Sequence, residues 1–121
     1  MNAQRKILFY RTVDGKCPVE DFLDSLPGKD AQKIAWVLKL LEELDRIPIV
    51  YFKKLEGSGD LWECRIQFGS NHYRILCFFI NNSTIVLTNG FIKKGKKTPK
   101  IEIVKGDVYR RDFLRRGIKH E

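Results

Sequence analysis

The sequence is poor in the residues that build metal centres and disulfide frameworks. It has three cysteines and two histidines among 121 residues, and no two cysteines have the C-x-x-C spacing. An odd number of cysteines without that spacing argues against both a disulfide framework and a zinc site. No carboxylates are paired at metal-ligand spacing, and no glycine-rich loop precedes a helix. We therefore expect neither a metal nor a cofactor, and no nucleophilic triad.

Long apolar runs are also lacking. No stretch is long enough to span a bilayer, and the first residues do not contain the apolar segment of a signal peptide. We therefore expect a cytoplasmic protein that has no membrane partner. The length suits one domain that covers residues 1–121.

Positive charge is what the sequence has in excess. There are 23 lysines and arginines against 15 aspartates and glutamates, which gives a formal net charge of +8. This excess favours a polyanionic partner, because lysines and arginines that neutralise phosphates release counterions. An acidic protein partner is compatible with the same charge, and a basic surface without a partner is the remaining alternative. We favour a polyanion because the positive residues are clustered.

Hydrophobic periodicity divides the chain into a helical first part and a second part of strands. From Tyr51 onward the apolar period changes to two, which is typical of strands. A last helix follows Pro99 and stops at Gly117, a residue type that commonly ends helices. The predicted elements are a strand over 7–11, helices over 18–26 and 29–45, strands over 51–55, 61–68, 72–80 and 83–92, and a helix over 100–116.

This order of elements predicts an α+β fold. We expect an antiparallel β-meander sheet with two N-terminal helices packed on one face and a C-terminal helix, which leaves the other face free. Asn81 and Asn82 fit a two-residue hairpin turn, since asparagine tolerates positive φ. Trp36 and Leu40 lie outside the main apolar face of the longer helix. They are either wider core contacts, with Trp36 packed under the first strand, or a surface for a partner.

The strongest local signal is a basic loop at residues 93–100. Five lysines lie within these eight residues, directly after a predicted strand. The loop is either a phosphate-binding element or a solvated segment that serves solubility. Lys53 and Lys54, at the end of an earlier strand, would extend the same positive rim.

A second signal is a pair of arginines on neighbouring strands. A hairpin that turns at residues 69–71 places Arg65 and Arg74 nearly opposite each other. Like charges across a strand ladder are destabilising, so the pair suggests a bridging phosphate or carboxylate. The alternative is that Glu63 or Glu56 pairs with one of the arginines. We favour an orienting role for Glu63 over general-base catalysis. His72, a lone histidine, is a weak catalytic signal.

The chain also carries a series of short motifs in a fixed order. They are Pro18-Val19-Glu20-Asp21-Phe22-Leu23, Leu26-Pro27, Lys53-Lys54-Leu55-Glu56, Leu61-Trp62-Glu63-Cys64-Arg65-Ile66, Tyr73-Arg74-Ile75-Leu76, Asn89-Gly90-Phe91-Ile92-Lys93-Lys94 and Lys97-Thr98-Pro99. In order and spacing they resemble the RelE/ParE superfamily of toxins from type II toxin–antitoxin systems. The nearest branch is the phage-derived, HigB-like toxins. The resemblance covers nearly the whole chain up to Pro99.

The resemblance implies a β-sheet with two N-terminal helices and a ribosome-dependent mRNA endonuclease, an mRNA interferase that inhibits translation. In such toxins the RNA 2′-hydroxyl attacks the adjacent phosphate without a metal, so the protein need only align the RNA and stabilise charge. The implied partners are mRNA, the ribosome and a helix-turn-helix antitoxin, which would form a hetero-oligomer with the toxin. By position, the candidate catalytic residues are Arg65, Arg74, Lys54 and Lys93, and the candidate substrate-binding residues are Lys53, Lys94, Lys96, Lys97 and Glu63.

Two features depart from the family pattern. Many members of the branch carry histidine where this chain has Asn89, and an asparagine cannot transfer a proton. The arginine-rich segment 109–119 matches no motif of the family. Two other functions also fit the sequence. One is a RelE/ParE-fold toxin that inhibits a protein such as DNA gyrase, and the other is an RNA-binding module without catalysis, since fold does not decide among them.

Overall fold

The computed structural model describes residues 4–117 as three helices and a five-stranded mixed sheet. None of the helices in this part of the chain combines the length and the apolar character that a membrane span requires. The elements are β1 (Lys6–Phe9), α1 (Pro18–Asp24), α2 (Gly28–Glu43), β2 (Phe52–Lys54), β3 (Trp62–Phe68), β4 (Asn71–Asn81), β5 (Thr84–Ile92) and α3 (Lys100–Arg115).

The sheet has the order β1-β5-β4-β3-β2. Strands β2 to β5 form the predicted antiparallel meander, and β1 is added in parallel beside β5. The α+β class is confirmed, and the architecture is compatible with a RelE-like fold. The parallel pairing of β1 makes the sheet mixed, a feature that the meander prediction did not contain.

One face of the sheet packs against α1 and α2. Ile34 and Leu41 of α2 are fully buried against alternate residues of the strands, among them Cys64 and Ile75. Truncating either α2 side chain to alanine would cost about 2–5 kcal/mol. All three cysteines are free and buried, and Cys64 and Cys77 lie in the core as small apolar side chains.

The opposite face of the sheet is not free, contrary to our expectation. Helix α3 covers part of it and buries Phe113 against Phe78, with ring centroids 5.7 Å apart. Gly106 permits this close approach, because a Cβ there would lie 3.2 Å from Leu76 Cδ1. The apolar side chains of α3 need burial, and this face of the sheet provides it. Arg65 and Arg74, which lie on this face, line two surface grooves.

The β4–β5 turn differs from the prediction by one residue. Asn81 pairs with Thr84, so Asn82 and Ser83 form the turn. The side-chain oxygen of Asn81 accepts a hydrogen bond from the Ser83 N–H at 2.8 Å. Within residues 4–117, only glycines have positive φ. The asparagine therefore acts through its side chain, as an Asx-type turn residue, and not through a left-handed backbone.

Candidate functional site

Arg65 and Arg74 lie directly opposite each other in the β3–β4 ladder, as the hairpin predicts. Glu63 lies on the same face of β3, two residues before Arg65. Its Oε1 atom is 3.5 Å from Arg65 Nε and 3.6 Å from Arg74 Nε. One carboxylate therefore pairs with both guanidinium groups, which offsets the repulsion between them.

The Glu63 carboxylate is buried, with 4% of the residue exposed. Its second oxygen, Oε2, accepts a hydrogen bond from Thr98 Oγ1 at 2.7 Å. Thr98 belongs to the basic loop, so this bond fastens the loop to the sheet beside the arginines. One oxygen of the Glu63 carboxylate thus faces the two arginines, and the other accepts the hydrogen bond from Thr98.

Arg74 is the more buried of the two arginines, at 6% exposure. Its Nη1 donates to the Tyr73 carbonyl oxygen at 3.0 Å, but its buried Nε has no hydrogen-bond partner among residues 4–117. Burial lowers the pKa of Arg74, the Glu63 carboxylate raises it, and the neighbouring Arg65 lowers it. Arginine stays protonated at neutral pH despite such shifts. The result is a buried cation whose hydrogen-bonding capacity is only partly used.

Two grooves meet at this arginine. The first groove has a volume of about 410 Å³ and the second about 400 Å³, and both are lined by Arg74 and His72. Together they form a path across the open end of the sheet. The first groove is also lined by Lys33, Val50, Tyr51, Arg65, Ile66 and Gln67, and the second by Lys93, Lys94, Gly95 and Lys96.

The lysines of the basic loop contribute unequally to these grooves. Lys93, Lys94 and Lys96 line the second groove, whereas Lys97 is exposed outside its lining. None of these four forms an ion pair with a residue of the described chain. Burial lowers the pKa of Lys93, and the positive charge of Arg74 lowers it further. A lysine with a lowered pKa gives up its proton more readily than an ordinary one.

Lys53 and Lys54 point to opposite faces of the sheet. Lys53 pairs with Glu63 in the β2–β3 register, and Lys54 pairs with Trp62. Because paired residues share a face, Lys53 lies on the side of the arginines and Lys54 on the side of the α1–α2 core. The expectation that both lysines extend one rim therefore holds for Lys53 alone.

Sequence reasoning undervalued or missed several residues that line the first groove or hold the site. His72 shares a strand face with Arg74, and this spacing of two was the available signal for it. Lys33 and Tyr51 come from α2 and the loop before β2, and no local pattern marks them as neighbours of Arg65. Thr98 is likewise joined to Glu63 only by the tertiary fold.

Asn89 serves to anchor α3. It is 2% exposed, and its Nδ2 donates to the Glu102 carbonyl oxygen at 3.2 Å and to Glu102 Oε1 at 3.0 Å. Its Oδ1 accepts from Thr88 Oγ1 at 2.7 Å. Asn89 lines neither groove. In this chain the position joins β5 to the first turn of α3.

The arginines of α3 are compensated by aspartates. Arg110 and Arg111 pair with Asp107, and Arg115 and Arg116 pair with Asp112. These contacts lie on α3 and its end, away from the grooves. Residues 118 and 119 of the arginine-rich segment fall outside the described chain. Where it is described, the segment stabilises the helix, since such pairs at spacings of three and four do so.

The arrangement brings cations from β3, β4 and the basic loop to one open path. Such a set can hold a phosphate through charge-assisted hydrogen bonds. Within residues 4–117, no group of three or more His, Cys, Asp or Glu side chains is placed to hold a metal ion.

Comparison with known proteins identifies the family. The family model described as phage derived protein Gp49-like (DUF891) matches residues 21–110, well over half of the chain. The match includes α2, all of β2 to β5 and the basic loop, and so contains the whole site described above. No curated protein matches the chain. The chain belongs to the Gp49-like family of phage-derived proteins, a RelE/ParE-like toxin family.

Proposed function

We propose that this protein is the toxin of a toxin–antitoxin pair and acts as a HigB-like, ribosome-dependent mRNA endonuclease without a metal. The observation that carries the proposal is the Arg65–Glu63–Arg74 cluster at the junction of two open grooves. Two guanidinium groups face one position where a phosphate can lie, and lysines continue the positive path on one side. This is the pattern expected for a protein that holds an RNA backbone.

The proposed reaction uses the RNA as its own nucleophile. The 2′-oxygen forms a bond to the adjacent phosphorus, and the bond from phosphorus to the 5′-oxygen breaks, which leaves a 2′,3′-cyclic phosphate. We assign Arg65 and Arg74 to stabilise the negative charge that builds up on the phosphorane. His72 lies in both grooves and is the candidate base for the 2′-hydroxyl proton. Lys93, with its lowered pKa, is the candidate acid that protonates the 5′-oxygen.

Glu63 acts in this scheme as a positioning residue. Its carboxylate forms an ion pair with both arginines on the side of their Nε atoms. Both Nη atoms of Arg65 therefore remain for the RNA, as does Nη2 of Arg74, whose Nη1 donates to the Tyr73 carbonyl oxygen. Thr98 fixes the carboxylate and keeps the loop with Lys93 near the arginines. Preorganisation of this kind lowers the cost of aligning the groups during the reaction.

The proposed partners are the ribosome with its mRNA and a helix-turn-helix antitoxin. An antitoxin with acidic side chains would associate rapidly with the basic face. At 47% exposure, Trp36 of α2 is not buried under the first strand, and its ring contacts Lys33 and Tyr51. A partner bound over Trp36 would also obstruct the first groove, which Lys33 and Tyr51 line.

Primer extension on a translated message tests the proposed activity. We expect cuts within the coding region after induction of the wild-type protein and none after induction of Arg65→Ala. Cleavage of mRNA on pre-assembled, cross-linked ribosomes should continue in excess EDTA. Cleavage that returns only with added transition metal would exclude the metal-free mechanism. Growth arrest without any RNA cuts, together with loss of DNA supercoiling, would replace the proposal with gyrase inhibition.

A further inference from the structure

The first groove crosses an open edge of the sheet. In the β2–β3 register, residues 52–54 pair with residues 64–62. One more backbone hydrogen bond follows, from the Arg65 N–H to the carbonyl oxygen of Tyr51 at 2.7 Å. Beyond that bond, no residue of β2 pairs with residues 66–68 of β3 in the described chain. The groove therefore runs from the two arginines past this edge to the loop before β2 and to α2.

The far wall of the groove is aromatic and apolar. It consists of Tyr51 and Val50, and the Val50 residue is 66% exposed. Trp36 holds the Tyr51 ring in an edge-to-face contact, with centroids 6.1 Å apart and planes at 85°. Lys33 Nζ lies over the Trp36 ring, 4.5 Å from its centroid, and lines the same groove. The Tyr51 ring is thus positioned by Trp36 of α2, which in turn contacts Lys33.

We propose that this wall is a nucleobase subsite. A base of single-stranded RNA would stack on Tyr51 while the phosphate of the same nucleotide lies at Arg65 and Arg74. Every base has a π-face that an aromatic ring can stack on, and single-stranded RNA exposes its bases to such contacts. Lys33 supplies a donor at the polar edge of the base. This inference rests on the proposed function, because it takes RNA as the occupant of the groove.

The mixed character of the groove favours a nucleotide over a simple anion. An anion site needs only the cations, which are concentrated at Arg65, Arg74 and the second groove. The first groove adds a preset aromatic ring and an exposed aliphatic side chain beside those cations. A nucleotide joins a charged group and a flat apolar ring in one ligand, and this combination matches both halves of the groove.

Binding of a 2′-O-methyl RNA oligonucleotide tests the subsite, because the methyl group removes the nucleophile and prevents cleavage. We expect Tyr51→Leu to weaken binding of this RNA about tenfold, the effect of losing one stacked base. Tyr51→Phe keeps the ring and should bind within about twofold of the wild type. Binding of inorganic polyphosphate, which has no bases, should be the same in all three proteins. If Tyr51→Leu binds the RNA as the wild type does, or loses RNA and polyphosphate equally, the subsite is wrong.

Fluorescence gives a second readout that does not depend on a Tyr51 substitution. In a Trp62→Phe variant, Trp36 is the remaining tryptophan. We expect the RNA to change the Trp36 emission and polyphosphate to leave it unchanged, since a base on Tyr51 would lie beside that ring. No change with saturating RNA would overturn the subsite.

The two proposals fail in distinguishable ways. If the wild type cuts RNA but Tyr51→Leu binds RNA normally, the subsite is wrong and the endonuclease proposal stands. If RNA binding depends on the Tyr51 ring but no message is cut, the subsite stands and the endonuclease proposal falls. If the wild-type protein does not bind RNA at all, both are overturned.

Discussion

Arg65 and Arg74 face each other across the β3–β4 ladder, although both carry positive charge. Opposed like charges destabilise a sheet, and this pair is maintained because Glu63 lies between the two Nε atoms. The protein therefore keeps two cations close together at the cost of one buried carboxylate. An arrangement that is unfavourable by itself is typical of a functional site, where a ligand completes the charge balance.

Removing either arginine should abolish toxicity. We expect Arg65→Ala and Arg74→Ala each to lower RNA cleavage by about 10²–10³-fold, the effect of losing one preorganised donor to a charged transition state. The measurement is growth after induction, with primer extension for cleavage and a thermal melt to show that each variant is folded. Arg111→Ala is the matched control, because Arg111 is exposed on α3 and pairs with Asp107. If Arg65→Ala and Arg74→Ala both remain fully toxic, the active face has been assigned wrongly.

Neutralising Glu63 should destabilise the protein and increase its affinity for anions. Glu63→Gln leaves Arg65 and Arg74 opposed without a shared counter-charge. We expect a loss of about 1–3 kcal/mol in the free energy of unfolding, since a buried charged group loses its partner. Inorganic phosphate should then raise the Tm of Glu63→Gln more than that of the wild type, because a ligand that binds the folded state stabilises it.

A threonine variant separates the charge of Glu63 from its orientation. Thr98→Val removes the hydrogen bond to Glu63 Oε2 but keeps the carboxylate. It should therefore respond to phosphate as the wild type does, although loss of the donor to the buried Oε2 should lower the free energy of unfolding by about 1–3 kcal/mol. If Glu63→Gln also shows an unchanged phosphate response, the carboxylate does not control anion binding at the arginines.

The basic loop should control the salt dependence of RNA binding. For single strands, each phosphate contact contributes about 0.7 to the slope of log affinity against log salt. Replacing Lys93, Lys94, Lys96 and Lys97 with glutamine should flatten that slope. Replacing four exposed lysines elsewhere removes the same charge from other surfaces and should leave it nearly unchanged; these are Lys6, Lys16, Lys29 and Lys39. Equal slopes for the two quadruple variants would mean that the loop serves only solubility.

Gly90 should be intolerant of a side chain because α1 packs directly on it. A Cβ at Gly90 would lie 2.4 Å from Phe22 Cδ2 and 2.9 Å from Phe22 Cε2. We expect Gly90→Ala to lower the free energy of unfolding by about 1–3 kcal/mol, since the Phe22 ring must move out of a packed position. Gly95→Ala is the control, because nothing lies within 4 Å of a Cβ there. Urea denaturation of the two variants measures the difference, and equal midpoints would contradict the packing argument.

Local patterns were sufficient to predict the elements and the arginine pair. The alternation of apolar and polar residues fixes which side chains of β3 share a face, and a short turn then places Arg65 opposite Arg74. The packing of α3 on the second face of the sheet could not be predicted from such local patterns. Glycine is unfavourable in a helix interior, so the sequence alone gives no reason for Gly106. The reason is tertiary, because Leu76 and Asn89 lie so close that a side chain at this position would crowd them. The parallel pairing of β1 with β5 likewise joins residues far apart in sequence.

The site shows the same division between local and distant contacts. Glu63 and Arg65 are two residues apart and could be linked from the sequence, whereas Thr98 is 35 residues from Glu63. The motif Lys53-Lys54 predicted positive charge near the site, but it did not indicate to which face of the sheet each side chain points. The β2–β3 register supplies that direction and separates the two lysines. Tyr51 could be predicted as part of a strand, but its place in a groove with Lys33 depends on the packing of α2.

The attachment of α3 to the segment that follows β1 should depend on pH through Tyr10. Its hydroxyl donates to Asp112 Oδ2 at 2.6 Å, and burial, followed by this bond, raises the pKa of Tyr10 from 10.0 to about 12. The unfolded chain therefore loses the tyrosine proton at lower pH than the folded protein does. The stabilisation from this hydrogen bond is complete below pH 10 and is lost as the pH rises towards about 12.

Replacing Tyr10 with phenylalanine tests this pH dependence. We expect Tyr10→Phe to lower the free energy of unfolding by about 1 kcal/mol at neutral pH, and this free energy should then fall less steeply above pH 10 than in the wild type. Urea denaturation on both sides of pH 10 gives the comparison, with Tyr109→Phe as a control that keeps the stacked ring pair. An equally steep alkaline decline in Tyr10→Phe and the wild type would assign the pH dependence to other groups and leave the Tyr10–Asp112 bond without a role in it.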